Sequence, residues 1–205
     1  MNKLSISGIK KLRDLTGAGF LDCKEALENS GLDIDKAIEF LRKKGVSTAQ
    51  KKKDRTASEG LIAISKDQSN KEASIIEINS ETDFVARNKN FQNFVFNLSK
   101  INLDQKGNLD KLMKSKYNNE ENVSDALTNL ISKIGENLTI RRCKYINIDN
   151  GFIGTYVHNV EKDDMGKIGV LLSVKTDIDF SLIKDFLKKN VHAYCCNQSN
   201  CNIIV

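Results

Sequence analysis

Gly60-Leu61-Ile62-Ala63-Ile64, Asp67-Gln68-Ser69-Asn70, Ser74-Ile75-Ile76-Glu77-Ile78-Asn79 and Thr82-Asp83-Phe84 make up the stretch that decides the fold. Two short apolar runs rich in isoleucine, with a polar turn between them, predict two strands. A helix is expected from about Thr82, with Phe84, Phe91, Phe94-Val95 and Leu98 along one side. The same order then recurs. Gly151-Phe152-Ile153, a polar turn, Val170-Leu171-Leu172-Ser173-Val174 and Asp179-Phe180 precede a second helix, from about Ser181 to Asn190. Strands alone could repeat by chance, but a glycine start together with an Asp-Phe ending points to two related subdomains around a joint sheet surface.

Outward toward the N-terminus, three short helices are legible. Ile9, Leu12, Leu15 and Thr16 recur at helical spacing before Gly17. Phe20, Cys23 and Ala26-Leu27 share a face before Gly31, and Ile34, Ala37-Ile38 and Leu41 follow an Asp33 cap and end at Gly45. Three helices of this length form a small bundle, too small for an active-site cavity. Residues 46–58 are polar and basic with no apolar period and read as a linker, with continuation of the third helix for a few residues left open. In the C-terminal direction, 102–122 is polar with a short helical piece around Leu109-Leu112-Met113. A helix with Leu127, Leu130-Ile131 and Ile134 stops at Gly135, and Leu138 to Ile148 reads as a strand. The expected division is 1–50 bundle, 51–58 basic linker, 59–149 first core subdomain, and 150–205 short second subdomain with a tail.

Composition narrows the function classes. Apolar residues are 40% and charged residues 29% of the 205, as in an ordinary globular protein. No apolar run approaches the roughly 20 residues that span a bilayer, and charges interrupt Leu4, Ile6 and Ile9 before a leader core can form, so a cytoplasmic protein with no membrane partner is expected. The net charge of +5 is carried mostly by lysine, and the tight basic run is Lys51-Lys52-Lys53 with Arg55, which reads as a solvated linker. Direct nucleic-acid binding is therefore not expected. Five cysteines form no CxxC pair and are odd in number, which argues against a disulfide framework. Cys195, Cys196 and Cys201 lie near His192, but adjacent cysteines suit a tetrahedral zinc poorly, and a tail with free thiols fits them better.

The catalytic inventory is thin. His158 and His192 are the two histidines, and no metal-spaced pair, nucleophile elbow or phosphate loop is present. Gly17-Ala18-Gly19 follows a helix and lacks a third glycine, so it is a helix–helix corner. Glu77, Glu81 and Asp83 read as solvated carboxylates. No enzyme activity, cofactor or resident metal is expected. Asp83-Phe84 admits two readings. In one, Ser80 or Thr82 caps a helix, Asp83 favours its positive end, and Phe84 points into the core two turns before Phe91. In the other, a strand-to-helix corner projects a carboxylate and a large aromatic from a rigid base, as a wedge that enters a partner.

The flanking residues bear on that choice. Glu77-Ile78-Asn79-Ser80-Glu81-Thr82-Asp83-Phe84-Val85-Ala86-Arg87-Asn88 resembles the signature of the translation elongation factor Ts family. Leu12-Arg13-Asp14-Leu15-Thr16-Gly17-Ala18-Gly19-Phe20-Leu21-Asp22-Cys23-Lys24 resembles its N-terminal hallmark. Ile134-Gly135-Glu136-Asn137-Leu138-Thr139-Ile140-Arg141-Arg142 and Gly154-Thr155-Tyr156-Val157-His158 resemble two further family motifs, in family order. The resemblance implies an α+β fold, with an N-terminal three-helix (UBA-like) bundle before two related subdomains with antiparallel sheets, the second one short. It implies a guanine nucleotide exchange factor for elongation factor Tu, bound in GDP-loaded and nucleotide-free states.

Residue by residue, the resemblance makes Thr82, Asp83, Phe84 and Val85 the segment that dislodges the partner's magnesium ion. Arg13, Phe20, Leu21 and Lys24 match positions that grip the partner's G domain, although Phe20 could equally staple the bundle core. His158 matches a partner contact of the second subdomain, with a satisfied surface histidine as the alternative. Long family members continue past the position of Val205 with a longer second subdomain and a coiled-coil projection. The resemblance therefore leaves open both an incomplete second subdomain and a homodimer in which a second copy completes it.

Overall fold

The computed structural model describes residues 5–119, 121–197 and 203–204. The chain divides into two compact units, residues 1–56 with 125–137, and residues 57–124 with 138–205.

In the first unit, α1 (Ile6–Thr16), α2 (Phe20–Asn29) and α3 (Ile34–Lys52) form a bundle. Ser5 caps α1 and Asp33 caps α3 through side-chain oxygens that accept from Gly8 N and Lys36 N. Gly17, at φ 66°, ends α1 in the left-handed conformation and donates to Arg13 O. Ile9, Leu12, Cys23, Ala26, Leu27 and Ala37 make the core. Burial pushes the Cys23 thiol up from its usual range, consistent with a packed rather than a reactive side chain. Lys44 joins α2 to α3 by donating to Asp22 Oδ1 at 2.7 Å and Glu25 Oε2 at 2.6 Å, bonds that hold its ammonium above the usual lysine range.

Most of helix α6 (Val123–Ile134) belongs to this unit. Lys52 Nζ donates to Gly135 O at its C-terminal end. Asn137 Nδ2 donates to the carbonyls of Lys53 and Arg55, and Gly45 faces Ser132. Residues 125–137 thus depart from the 59–149 division that chain order suggests. Periodicity identified the apolar stripe of α6 but carried no information on which surface covers it. α3 runs past Gly45 to Lys52, a continuation that the linker reading allowed, and the carbonyls of Lys53 and Arg55 hold Asn137.

The second unit is built on one sheet of order β3-β2-β1-β5-β4, from β1 (Glu59–Lys66), β2 (Glu72–Ser80), β3 (Leu138–Asn147), β4 (Phe152–Lys162) and β5 (Met165–Val174), with β6 (Ile203–Ile204) parallel to β5. The five longer strands pair antiparallel, as expected. Hairpin β1–β2 runs in register from Glu59↔Ser80 to Lys66↔Ala73. Asp67 organises its turn by accepting from the amides of Lys71 and Glu72, both at 2.8 Å, and from Ser69 N at 3.1 Å. Burial works against the Asp67 charge, but the bonds from the Ser69 hydroxyl and these amides outweigh it and hold its carboxyl below the ordinary range.

Each hairpin carries a helix on its outer face: α4 (Lys89–Asp104) on β1–β2 and α7 (Phe180–Asn197) on β4–β5. Their inner faces share a core of Ile62, Ile64, Ala73 and Ile75 with Ile153 and Leu171. The repeat read in the sequence is therefore a repeat of hairpin plus helix. Its halves pair narrowly, through Ile62↔Gly166 and Ala63↔Met165.

Gly60 and Gly151 stand at equivalent places at the head of each hairpin, at φ 135° and 133°. A Cβ on Gly60 would lie 2.1 Å from Ile78 O, and one on Gly151 would lie 2.1 Å from Val174 O. Both sit where a strand crosses close over its partner's backbone, in a conformation open only to glycine.

α7 begins at Phe180 and runs past Asn190 to Asn197, longer than periodicity predicted. Cys195 and Cys196 fall in its last turn, and Cys201 lies outside the described residues. α5 (Leu109–Lys114) matches the short helical piece read between the two halves. No helix among the described residues is long and apolar enough to cross a membrane.

Candidate partner-binding site

The segment after β2 is not one helix. Asp83–Arg87 forms a 3-10 turn, and Asn88 then breaks the path at φ −73° and ψ 122° before α4 starts. Asn88 Oδ1 accepts from Asn90 N at 2.9 Å and Phe91 N at 3.3 Å, so Asn88 caps α4 rather than Ser80 or Thr82. The break separates Phe84 from the stripe it was expected to join. Phe91, Phe94, Val95 and Leu98 are buried on the sheet, whereas Phe84 is 77% exposed. Spacing cannot register such a break, because a capping asparagine inside a helical period resets the phase of the residues before it.

What fastens the turn is legible in the contacts. Val85 and Ala86 are buried, so Val85 is an anchor beneath the corner rather than part of its outer surface. Ser80, fully buried, donates its hydroxyl to Thr82 O at 2.9 Å, and Gln92 Nε2 donates to Ala86 O at 2.9 Å. Asp83 is exposed and Thr82 half-buried. The result is a carboxylate and a bare aromatic ring at the end of a hairpin, held by buried neighbours.

Glu77, read as a solvated carboxylate, is 2% exposed. Its Oε2 accepts from Arg142 Nε at 2.6 Å, and Arg141 Nε lies 3.9 Å from Oε1. A buried carboxylate has to be paired, and the cross-strand neighbour supplies the partner. It is a structural pair of the sheet. Among the described residues no three His, Cys, Asp or Glu side chains group as a metal site.

In the first unit, Phe20 and Leu21 emerge at the α1–α2 corner, Leu21 at 76% exposure, with Leu15 also exposed at 61%. Arg13 and Lys24 are exposed on the same two helices, Lys24 beside Glu28 at 3.8 Å. The corner is an exposed apolar knuckle flanked by charges of both signs, Arg13 and Lys24 beside Asp14 and Asp22. Spacing groups Leu15 with Ile9 and Leu12, which are buried; in the continuous helix its phase falls about 120° from Ile9, off the buried face.

His158 lies half-buried on the edge strand β4, opposite Ile168. Its Nδ1 is 3.1 Å from Tyr156 Oη, and the Tyr156 ring packs edge-on against His192 of α7. Thr82–Val85 and His158 thus belong to the second unit, whereas Arg13, Phe20, Leu21 and Lys24 belong to the first.

The second copy shows what the corner is not. Asp179 Oδ1 accepts from Ser181 N at 2.8 Å and from its hydroxyl at 2.6 Å, bonds that hold the Asp179 carboxyl below its ordinary range. α7 starts at once with no intervening 3-10 turn, and Phe180 packs on Phe152 with ring centres 5.1 Å apart. The echo is a helix start with a half-buried ring packed on Phe152.

Residues 81–190, more than half of the chain, match the family model described as elongation factor TS. The chain belongs to the elongation factor Ts family. It is 42% identical over 187 residues to the elongation factor Ts of Bartonella bacilliformis, covering 91% of this chain and 60% of that relative. It is 44% identical over 174 residues to that of Mesorhizobium japonicum, covering 84% and 56%. With that of Bartonella tribocorum it is 46% identical over 170 residues, covering 82% and 54%. The chain therefore spans less than two thirds of the length of these curated relatives. The matched span contains the corner, α4, the sheet strands β3 to β5 and His158.

Proposed function

We propose that this chain is a guanine nucleotide exchange factor for elongation factor Tu that acts in the cytoplasm by loosening the partner's bound magnesium ion. The observation that carries the reading is the 77% exposure of Phe84 on a corner whose neighbours Val85 and Ala86 are buried. A large aromatic held in water on rigid backbone is the type of side chain that anchors protein interfaces, because it gains desolvation on docking with little loss of freedom.

The mechanism follows from charge. A bound nucleoside diphosphate is held by backbone amides around its phosphates and by Mg²⁺, which neutralises them. Phe84 enters an apolar slot of the partner's G domain and displaces the elements beside the metal. Asp83 brings a carboxylate to the water and side-chain shell of the ion. With the ion gone the phosphate charge is uncompensated, and GDP leaves. No bond is made or broken, so no general acid or base is required and the factor is not an enzyme. Arg13, Phe20, Leu21 and Lys24 hold the G domain while this happens, and His158 adds a contact from the second subdomain. Coupling is reciprocal: GDP weakens the factor's grip by the factor by which its own is weakened. Each tenfold change requires about 1.4 kcal/mol of differential contact.

Elongation factor Tu loaded with fluorescent GDP tests the reading. Micromolar chain is expected to accelerate GDP release by at least about a hundredfold, the equivalent of about 2.7 kcal/mol off the release barrier. Unchanged release would overturn it, and complex formation without faster release would leave a docking role alone.

We also infer a homodimer. Leu182 and Phe186, one turn apart on the outer face of α7, are exposed together with Ile178 just before the helix. An apolar face of this kind is covered economically by its own copy across a two-fold axis. Sedimentation equilibrium is expected to give a dimer, and Leu182→Asp with Phe186→Asp a monomer. A monomeric parent chain removes the inference.

A further inference from the structure

We infer that Gln92 is a positioning residue that holds Phe84 in its presented state by donating its side-chain amide to the buried Ala86 carbonyl. This inference rests on the exchange reading above. The 3-10 turn ends at Arg87, and Asn88 is turned away from helical geometry, so the ladder of backbone bonds is interrupted between the turn and α4. Asn88 N still bonds Val85 O at 2.9 Å, and Gln92 N bonds Asn88 O at 2.9 Å. Ala86 is buried, and its carbonyl accepts from the Gln92 side-chain amide at 2.9 Å across the junction.

A buried carbonyl without a donor is costly, and the cheapest relief is for the turn to open toward water. Opening moves Val85 and Ala86 off their seats and releases the backbone that carries Phe84. At the other end Ser80 closes Thr82 O in the same manner. The corner is therefore pinned at both ends by side chains that lie outside it, and Phe84 itself makes none of these bonds. Gln92 sits on α4, which is anchored to the hairpin by Phe91, Phe94 and Val95, so the amide is aimed from a fixed base. Pinning raises the fraction of molecules ready to dock, and the apparent affinity of the wedge scales with that fraction.

Gln92→Met, of similar volume but with no donor, tests this in two arms. In the first, the rate of GDP release from elongation factor Tu at chain well below saturation is expected to fall about tenfold, the effect of one unsatisfied buried carbonyl on the docking-ready fraction. In a Phe84→Ala background the same substitution is expected to change the residual rate less than twofold, because Gln92 acts through Phe84. Equal losses in both backgrounds would make Gln92 merely structural and overturn the inference. In the second arm, on the free protein, amide hydrogen exchange in residues 83–88 is expected to speed about tenfold while the β1–β2 hairpin keeps its protection. Unchanged protection there would overturn the inference whatever the exchange assay gives. If the parent chain releases no GDP while the second arm succeeds, the exchange reading fails and the pinning stands.

Discussion

Asp83→Ala combined with Phe84→Ala is expected to reduce nucleotide release from elongation factor Tu by at least about a hundredfold, while the thermal midpoint of the protein shifts by no more than a few degrees. The first half follows from interface energetics: truncating a central aromatic anchor typically costs about 2 kcal/mol or more, and removal of the adjacent carboxylate adds to it. The second half follows from burial. Phe84 is exposed and Asp83 lies beside it in water, so neither substitution opens a cavity. Reciprocity sharpens the test. Binding to the GDP-loaded partner is expected to persist, held by the knuckle of Phe20 and Leu21, while affinity for the nucleotide-free partner falls toward the same value. Isothermal titration against both states, beside the fluorescent release assay, measures this. A double variant that releases GDP at the parent rate would remove the wedge mechanism.

Gly60→Ala is expected to destabilise the protein by about 3 kcal/mol or more, among the larger effects available to a single methyl group. A Cβ at this position meets Ile78 O at 2.1 Å and Asn79 Cα at 2.8 Å, both backbone atoms of the paired strand, and φ 135° is itself closed to alanine. Relief would require the first residues of β1 to peel from β2, next to the Ser80 that secures the corner. Gly151→Ala is expected to behave similarly, since its Cβ meets Val174 O at the same distance. Urea unfolding followed by circular dichroism measures both. A loss below about 1 kcal/mol at either site would show that the strand heads yield where the close approach says they cannot.

These two predictions rest on different kinds of knowledge. The glycine at the head of each hairpin was visible in the sequence as the first residue of a repeated pattern, and its backbone conformation supplies the reason for the repeat. Strands, polar turns and helix stripes were legible because burial on one face leaves a period in the chain, and most of the elements stand where that period put them. The residues around Asp83 are legible as a family signature, long enough to mark the family from residue identity alone. Three things were not legible. Glu77 looked solvated because pairing with Arg142 depends on strand order, which no local pattern encodes. α6 looked like part of the sheet half because its stripe does not record its partner surface. By spacing alone Phe84 looked like core, because a period carries a residue's phase only while the helix is unbroken, and only the family resemblance pointed the other way.

By itself, then, the sequence determined the kinds of element, their order, the repeat and the family, all of which follow from local spacing and from residue identity. Only the tertiary structure decided that Phe84 stands in water. That outcome depends on Asn88 interrupting the helix, on Val85 and Ala86 being buried beneath it, and on Gln92 and Ser80 reaching the open carbonyls from outside the corner, and these are relations in space between residues whose own patterns look ordinary.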